Sequence, residues 1–227
     1  MAKVSLARKK ELNEPDAFLD KSNKVALFIQ ENKEKVFGGI AAFIIIIIAI
    51  SGYITYSKHH NKKAFAELAM DVKWYEGSEE KPAVRSLEEV RKRSNAFLSK
   101  YSGTVAGTLA KAKYAGIFYA EGDYKSAVAL YEKLLKDVKS DSALKNTALS
   151  GLAYSYEALK KFDDAVKVFE MIASSDSNVK KGDALFHLGM IYEQKGNTDK
   201  SRQAFEEIVS SHPDSIFLDI AKEKTAG

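Results

Sequence analysis

Residues 188–209, LGMIYEQKGNTDKSRQAFEEIV, contain the pattern that decides the fold of this chain. Small and apolar residues lead to Tyr192, a turn follows around Gly196, and a second run places Ser201 and Phe205 four residues apart. Apolar residues recur in both runs at the helical period, and the Gly between them marks a break. The stretch therefore predicts two short helices that fold back on each other as a hairpin.

The same pattern occurs twice more upstream, in YAGIFYAEGDYKSAVALYEKLL (114–135) and LAYSYEALKKFDDAVKVFEMIA (152–173). The equivalent positions hold an aromatic residue (Phe118, Tyr156, Tyr192), a small residue (Ala127, Ala165, Ser201) and a second aromatic residue (Tyr131, Phe169, Phe205). The offsets between repeats are 38 and then 36 residues. Repetition at this period predicts stacked helical hairpins that share one continuous core.

The pattern resembles the tetratricopeptide repeat (TPR) family, which has small residues at positions 8 and 20, aromatic residues at 11 and 24, and Gly at 15. The third repeat matches with Leu188, Gly189, Tyr192, Gly196, Ser201, Phe205 and Pro213, and the first with Ala115, Phe118, Gly122, Tyr124, Ala127 and Tyr131. The second repeat departs from the pattern at Lys160, where Gly is usual. Because the spacing also exceeds the family's roughly 34 residues, we expect longer turns between repeats. The resemblance covers about residues 108–214.

The resemblance implies an α-solenoid in which small residues let paired helices cross closely while aromatic residues fill the gaps beside them. Ala165 is therefore expected to lie buried between two helices, and the repeated aromatic residues are expected to form core and not a cofactor site. The open end of such a stack needs a capping helix with one polar side. Residues 215–224, SIFLDIAKEK, fit that need, with Ile216, Phe217 and Ile220 expected on the packed side.

Upstream of the repeats, residues 36–57 read VFGGIAAFIIIIIAISGYITYS and contain eight Ile and no charged residue. At about 1.5 Å rise per residue this run forms a helix of roughly 33 Å, which matches a hydrocarbon core of about 30 Å. Tyr53 and Tyr56 lie near its end, as aromatic belt residues do. The run is longer than a signal-peptide core and no A-x-A-like cleavage site follows it, so we expect a retained transmembrane helix.

The expected fold class is all-α, with a single N-terminal transmembrane helix followed by an α-solenoid of TPR-like helical hairpins. We predict a cytoplasmic tail (1–35), the transmembrane helix (36–57), a juxtamembrane helix with a degenerate first repeat (58–107), and three TPR-like repeats with a C-terminal capping helix (108–227). The juxtamembrane helix should end at Gly77 and pair antiparallel with a helix that stops at Gly103. The apolar residues expected on one of its faces are Phe65, Leu68, Ala69, Val72 and Tyr75.

Basic residues set the expected orientation of the span. Eight Lys and Arg residues precede residue 36, whereas four occur in residues 58–77. By the positive-inside rule the amino end should be cytoplasmic. We therefore expect a single-pass protein of the inner (cytoplasmic) membrane, with its N-terminus in the cytoplasm and its C-terminal domain in the periplasm.

The sequence contains no recognisable apparatus for catalysis. Cysteine is absent, which removes disulfides, thiol catalysis and Cys-ligated zinc. No P-loop, H-E-x-x-H, G-x-S-x-G or Rossmann motif occurs. The four His residues do not have the spacing of a metal site, because the adjacent His59 and His60 point to different helix faces, His187 is expected on an outer helix position and His212 in a turn. The net charge of +4 is spread over many residues, which argues against nucleic-acid binding. We expect no enzyme activity, no cofactor, no metal and no nucleic-acid partner.

Function is then expected to lie in a binding surface. In the TPR family, positions 2, 5, 9, 12 and 13 of the first helices line a concave groove. The resemblance implies that these positions here form a mildly acidic, aromatic groove from Tyr119, Thr147, Ser150, Tyr154, Glu157, Asp183, Phe186, Met190 and Glu193. Tyr154→Ala is expected to leave stability nearly unchanged, since Tyr154 would project into the groove. The family's carboxylate-clamp subset, which grips chaperone carboxyl termini, has Lys at position 5 and Asn at position 9. This chain has Ala112 and Gly116 at those positions of the first repeat and Ser150 and Tyr154 in the second, so we do not expect that class of partner.

The whole layout of tail, span, juxtamembrane helix and degenerate repeats resembles the YfgM-type bacterial inner-membrane proteins. The stretch QENKEK before the span, and Trp74 and Tyr75 after it, carry part of the resemblance. That family is associated with the Sec translocon and periplasmic chaperones. The resemblance therefore implies a scaffold that binds polypeptides or envelope proteins outside the cytoplasm, as an accessory factor at the translocon. The alternative is a cytosol-facing TPR import receptor or adaptor with an N-terminal membrane anchor.

Overall fold

The computed structural model describes residues 17–78, 81–82, 86–138, 143–175 and 180–226. The chain divides into two compact units, the first ending at Lys58 and the second beginning at His59. The predicted longer turns between repeats and much of the predicted tail lie outside the described residues, at 139–142, 176–179 and 1–16. Elsewhere the chain is almost entirely helical, which confirms the all-α class.

The first unit contains α1 (Ala17–Glu31) and the beginning of α2 (Lys33–Glu76). The apolar run within α2 is long enough, by length and composition, to cross a membrane, and none of it is buried in the structure. The Thr55 hydroxyl donates to the Ser51 carbonyl oxygen at 2.9 Å, one turn earlier in the same helix. Polar groups satisfied within the helix are what a hydrocarbon environment requires.

The second unit begins within α2 and continues through a short hairpin and a series of helices. The hairpin pairs β1 (Gly77–Ser78) antiparallel with β2 (Lys81–Pro82). The helices that follow are α3 (Leu87–Tyr101), α4 (Val105–Ala120), α5 (Tyr124–Asp137), α6 (Ala143–Ala158), α7 (Phe162–Ala173), α8 (Lys181–Gln194), α9 (Thr198–Ser211) and α10 (Leu218–Thr225). From α3 onward each helix packs on the next, and α4 also packs on α6. The three predicted repeats are therefore the hairpins α4/α5, α6/α7 and α8/α9.

The paired helices cross at the small residues of the repeats. Ala127 and Ala165 are fully buried. In the third repeat, the Ser201 hydroxyl donates to the Gly189 carbonyl oxygen at 2.9 Å. A Cβ added to Gly189 would lie 2.6 Å from the Phe205 ring carbon Cζ, so a larger residue would displace that ring. This close approach confirms the predicted repeat register.

The turn inside each hairpin uses one residue in the left-handed region. Gly122 and Gly196 have φ of 78° and 74°, and Lys160 has φ of 56°. After the Lys160 turn, the Lys161 amide donates to the Tyr156 carbonyl oxygen at 2.9 Å. Lys160 thus makes the turn that Gly makes in the other repeats, although a Cβ is sterically disfavoured in this region.

The distal part of α2 and α3 form the antiparallel pair that the sequence predicts. The Glu67 carboxylate bonds to Lys100 at 2.9 Å, whereas Asp71, one turn later in α2, bonds to Arg93, which lies earlier in α3. The helix α2 ends immediately before Gly77, whose φ is 75°. The pair contributes to the same hydrophobic core as the three repeats.

A buried carboxylate holds the distal part of α2 against both α3 and α4. Asp71 is 9% exposed; its Oδ1 accepts from Arg93 Nη1 at 2.7 Å and its Oδ2 accepts from the Tyr114 hydroxyl at 2.5 Å. The Arg93 guanidinium also lies over the Trp74 ring, 4.1 Å from the ring centroid. A buried carboxylate is costly without such donors, so this network fixes how the three helices meet.

The C-terminal cap packs differently from the prediction. Ile216 and Ile220, which were expected on the packed side, are 88% and 42% exposed, so this part of the prediction is wrong. Phe217 instead stacks on Phe186 with 4.0 Å between ring centroids, and Ala221 is fully buried. Because α10 begins after Phe217, Ile216 lies outside the helix and the inward face falls on Ala221.

We predict that Lys160→Gly stabilises the repeats. The steric penalty of a Cβ in the left-handed region is roughly 1–2 kcal/mol. The extra entropy that Gly gives the unfolded chain offsets about 0.4–1 kcal/mol of this, so the free energy of unfolding should rise by about 0.5–1 kcal/mol. Urea denaturation of residues 59–227 measures the change.

Gly196→Ala is the matched control for this prediction. A Cβ at Gly196 would meet no atom within 4 Å, so its effect reports the backbone conformation alone. It should lower the free energy of unfolding, because Ala is strained at positive φ. A Lys160→Gly variant that is less stable than the parent would contradict the left-handed turn.

Candidate functional site

An open groove lies between the distal part of α2 and the first helices of the first two repeats. Its volume is about 600 Å³, and we name it the apolar groove. The helix α2 contributes Phe65, Leu68, Ala69 and Val72, α4 contributes Leu109 and Ala112, and α6 contributes Leu144 and Thr147. The charged residues of its lining are Lys73, Glu76 and Lys113.

Helical spacing explains why these apolar side chains share one surface. Phe65, Ala69 and Val72 are separated by four and then three residues, and Leu109 and Ala112 by three, so each set lies on one face of its helix. Phe65 is 40% exposed and Ala69 is also exposed. Exposed apolar surface in a concave setting is typical of a site that binds another molecule.

One of the nine predicted groove residues, Thr147, lines the apolar groove. Tyr119 lies at the end of α4, is 37% exposed, and has its ring 5.3 Å from that of Tyr124. Met190 is exposed on α8, and Ser150 is half-buried on α6. These four residues lie on the first helices of three different repeats, with Thr147 and Ser150 three residues apart on α6.

Other predicted residues gather around His187, which the sequence placed on an outer helix position. That expectation is wrong, because the His187 side chain is 23% exposed and its ring stacks on Phe169 with 5.0 Å between centroids. The Tyr154 ring lies 5.0 Å from the His187 ring, and His187 Nδ1 is 2.8 Å from Glu157 Oε2. Together with Asp183, these residues form what we name the His187 cluster.

Hydrogen bonds join the side chains of the His187 cluster to one another. The Tyr154 hydroxyl donates to Asp183 Oδ2. The pKa of Tyr154 is raised above its usual value, mainly by burial and secondly by this hydrogen bond. Asp183 Oδ1 lies 4.0 Å from His187 Nε2, whereas Glu157 contacts the other ring nitrogen, Nδ1. The two carboxylates therefore contact different ring nitrogens, and no group of three His, Asp or Glu residues within the described ranges could hold a metal ion.

The last two predicted residues contact the chain's own C-terminal segment. Phe186 stacks on Phe217, as described above. Glu193 accepts hydrogen bonds from Lys224 Nζ at 2.7 and 2.8 Å through its two carboxylate oxygens. The side chains of Phe186 and Glu193 are therefore partly occupied by contacts with the chain's own C-terminal segment.

Most residues of the apolar groove were not predicted from the sequence as groove residues. Leu109 and Ala112 occupy positions 2 and 5 of the first repeat, so the same register that selected Thr147 could have found them. Phe65 and Ala69 were recognised only as part of an apolar helix face. Assigning them to a groove requires knowing that this face of α2 lies beside α4 and α6.

Comparison with known proteins gives a family match for most of the chain. Residues 27–221 match the tetratricopeptide repeat-like domain family. No curated protein sequence matches the chain. Among solved structures, the chain is similar to a crystal structure of nearly identical TPR-like repeats from a Podosopora anserina protein assigned as a kinesin light chain. The sequence identity is 14% and the TM-score is 0.49, over 71% of this chain and 82% of that one.

Because the Tyr154 ring packs in the His187 cluster, we predict that its removal destabilises the protein, contrary to the expectation from sequence. Tyr154→Ala deletes a half-buried ring that packs on Phe169 and His187, so it should lower the free energy of unfolding by about 2–3 kcal/mol. Tyr154→Phe removes only the hydroxyl and should cost about 1 kcal/mol. Urea denaturation of residues 59–227 measures both.

Met190→Ala provides the comparison, because Met190 occupies the same repeat position and is 38% exposed. It should change the free energy of unfolding by only about 0.5–1 kcal/mol. If Tyr154→Ala costs no more than Met190→Ala, the Tyr154 ring does not pack in the His187 cluster.

Proposed function

The chain belongs to the tetratricopeptide repeat-like domain family, and from that premise we propose that it is a membrane-anchored scaffold whose repeats bind polypeptide segments outside the cytoplasm. Repeats of this family serve protein–protein interaction and are typically not enzymes. The anchor, the compartment and the partner class are the parts of this proposal that go beyond the family.

The apolar groove is the observation that carries the proposal. Three helices line it with apolar side chains, and its volume of about 600 Å³ accommodates several large side chains of a bound segment. Such a surface suits an amphipathic helix that places its apolar face in the groove. Lys73, Glu76 and Lys113 in the lining suit a bound segment that also carries polar or charged residues beside its apolar face.

The sequence and the properties of α2 support the membrane anchor. Its apolar run is unburied, and the family match begins at residue 27, before the run. Eight Lys and Arg residues before residue 36, against four in residues 58–77, favour a cytoplasmic amino end and repeats in the periplasm. On this proposal the protein is a single-pass protein of the inner membrane.

The finer proposal places the scaffold beside the Sec translocon and periplasmic chaperones, as the resemblance to YfgM-type proteins implies. Affinity purification of the tagged full chain in mild detergent tests this version. Recovery of translocon subunits or periplasmic chaperones above background supports it. If neither is recovered, the translocon role is excluded. Polypeptide binding in the apolar groove is tested separately, by measuring peptide binding.

A charge placed in the apolar groove should weaken the binding of an apolar segment. Ala69→Glu puts a carboxylate at an exposed position of the lining, where a bound apolar face would desolvate it. We expect the dissociation constant for a fluorescent amphipathic helical peptide to rise at least tenfold, which is about 1.4 kcal/mol or more. Fluorescence anisotropy with residues 59–227 measures it.

Ala129→Glu is the matched control, because Ala129 is an exposed helical Ala on α5 outside the groove lining. It should change the dissociation constant less than twofold, roughly the scale of an isolated surface substitution. Equal effects of the two substitutions, or binding unaffected by both, would remove the groove as the binding surface.

Labelling of a single introduced Cys separates the two orientations. The chain has no Cys, so Ala129→Cys gives one exposed reactive site in the repeats. With periplasmic repeats, a membrane-impermeant maleimide should label this Cys in cells whose inner membrane is intact. Labelling only after the inner membrane is lysed would instead support the cytosol-facing import receptor or adaptor.

A further inference from the structure

A short basic segment follows the apolar run of α2 directly. Residues 58–63 read KHHNKK, and the side chains of Lys58, His59, Lys62 and Lys63 are exposed. We name these four residues the basic arc. No acidic residue occurs between Glu34 and Glu67, so the arc has no carboxylate beside it in the sequence.

The basic arc points away from the packed face of α2. At roughly 100° per residue, its four side chains span an arc of roughly 140° around the helix axis. The buried residues Ala64, Leu68 and Asp71 lie on the opposite side. His60, between the arc residues in sequence, faces the packed side, with its ring 4.9 Å from that of Tyr101.

The residues before the arc favour a lipid surface over other polyanions. Tyr53 and Tyr56 are 72% and 66% exposed and lie within the turn and a half that precedes Lys58. Exposed aromatic residues between an apolar run and basic residues are typical of the headgroup layer of a membrane. A nucleic-acid site would instead require an extended basic stripe in a soluble setting.

We propose that the basic arc binds the phosphate groups of anionic phospholipids in the leaflet that meets the C-terminal end of the apolar run. This inference rests on the proposed membrane span, and it does not depend on the orientation of the span. Each Lys near an anionic surface contributes about fivefold to the association with it. Three lysines on one side of α2 therefore recruit anionic lipid selectively around that helix.

The test uses the full chain in nanodiscs of phosphatidylcholine that contain a minority of phosphatidylglycerol. Ala66 is exposed within the angular range of the arc, and Ala66→Cys provides a single site for a donor dye. Energy transfer is measured to acceptor-labelled phosphatidylglycerol and, in a parallel sample, to acceptor-labelled phosphatidylcholine. The ratio of the two reports the preference for anionic lipid.

The charge-removal variant combines Lys58→Gln, Lys62→Gln and Lys63→Gln. Its control combines Lys125→Gln, Lys133→Gln and Lys136→Gln, which removes the same charge from exposed positions on α5. The parent and the control should show a several-fold preference for phosphatidylglycerol, and the arc variant should show almost none. High salt should reduce the preference of the parent, because it screens exposed charges.

Several results would overturn the inference. An arc variant that keeps the preference, or a control that loses it equally, removes the basic arc as the site. Competition by inorganic phosphate at constant ionic strength would show a site for free phosphate and not for a lipid surface. If the chain enters nanodiscs but shows no lipid preference, only this inference is contradicted. If the chain fails to enter nanodiscs, the proposed membrane anchor is contradicted as well.

Discussion

The close approach of paired helices at small residues is the constraint on which the rest of the structure depends. Ala127, Ala165 and Ser201 are small enough for the paired helices to cross closely, and neighbouring aromatic rings fill the gaps beside each crossing. The same principle joins one repeat to the next, because a Cβ added to Gly151 would lie 2.1 Å from the Tyr131 ring of the preceding repeat. Crossing and stacking together decide which helix faces remain open.

The apolar groove follows from how the stack begins. The polar network of Asp71 with Arg93 and Tyr114 holds the distal part of α2 against α3 and α4. In the three repeats, by contrast, close crossings at small residues hold the paired helices together. No helix of an earlier repeat precedes α2 within the second unit as described, so Phe65 and Ala69 keep an open face. At the other end Phe217 stacks on Phe186 of the third repeat, and α10 packs on α9. The two ends of the stack thus present different surfaces.

The repeat register was predictable because each of its elements depends on local sequence. Small residues, aromatic residues and turn residues recur at fixed spacing, and even Lys160 takes the conformation that its repeat position requires. Side-chain partners across helices were not predictable in this way. His187 turns inward only because Phe169 and Glu157 meet it from the preceding repeat, and helical periodicity on α8 alone does not contain that information. The residues on the inward face of α10 were not predicted correctly, because they depend on the residue at which the helix begins, and the sequence pattern did not fix that residue.

Site-specific photo-crosslinking in living cells tests the central claim, that polypeptides bind in the apolar groove, most directly. A photoreactive residue replaces Thr147, which lines the groove, and in a separate variant it replaces Lys136, which is exposed on α5 outside it. The account predicts that illumination yields covalent adducts with other polypeptides at Thr147 and few or none at Lys136, as read by mass spectrometry. Adducts of equal yield at both positions, or at Lys136 alone, would contradict it.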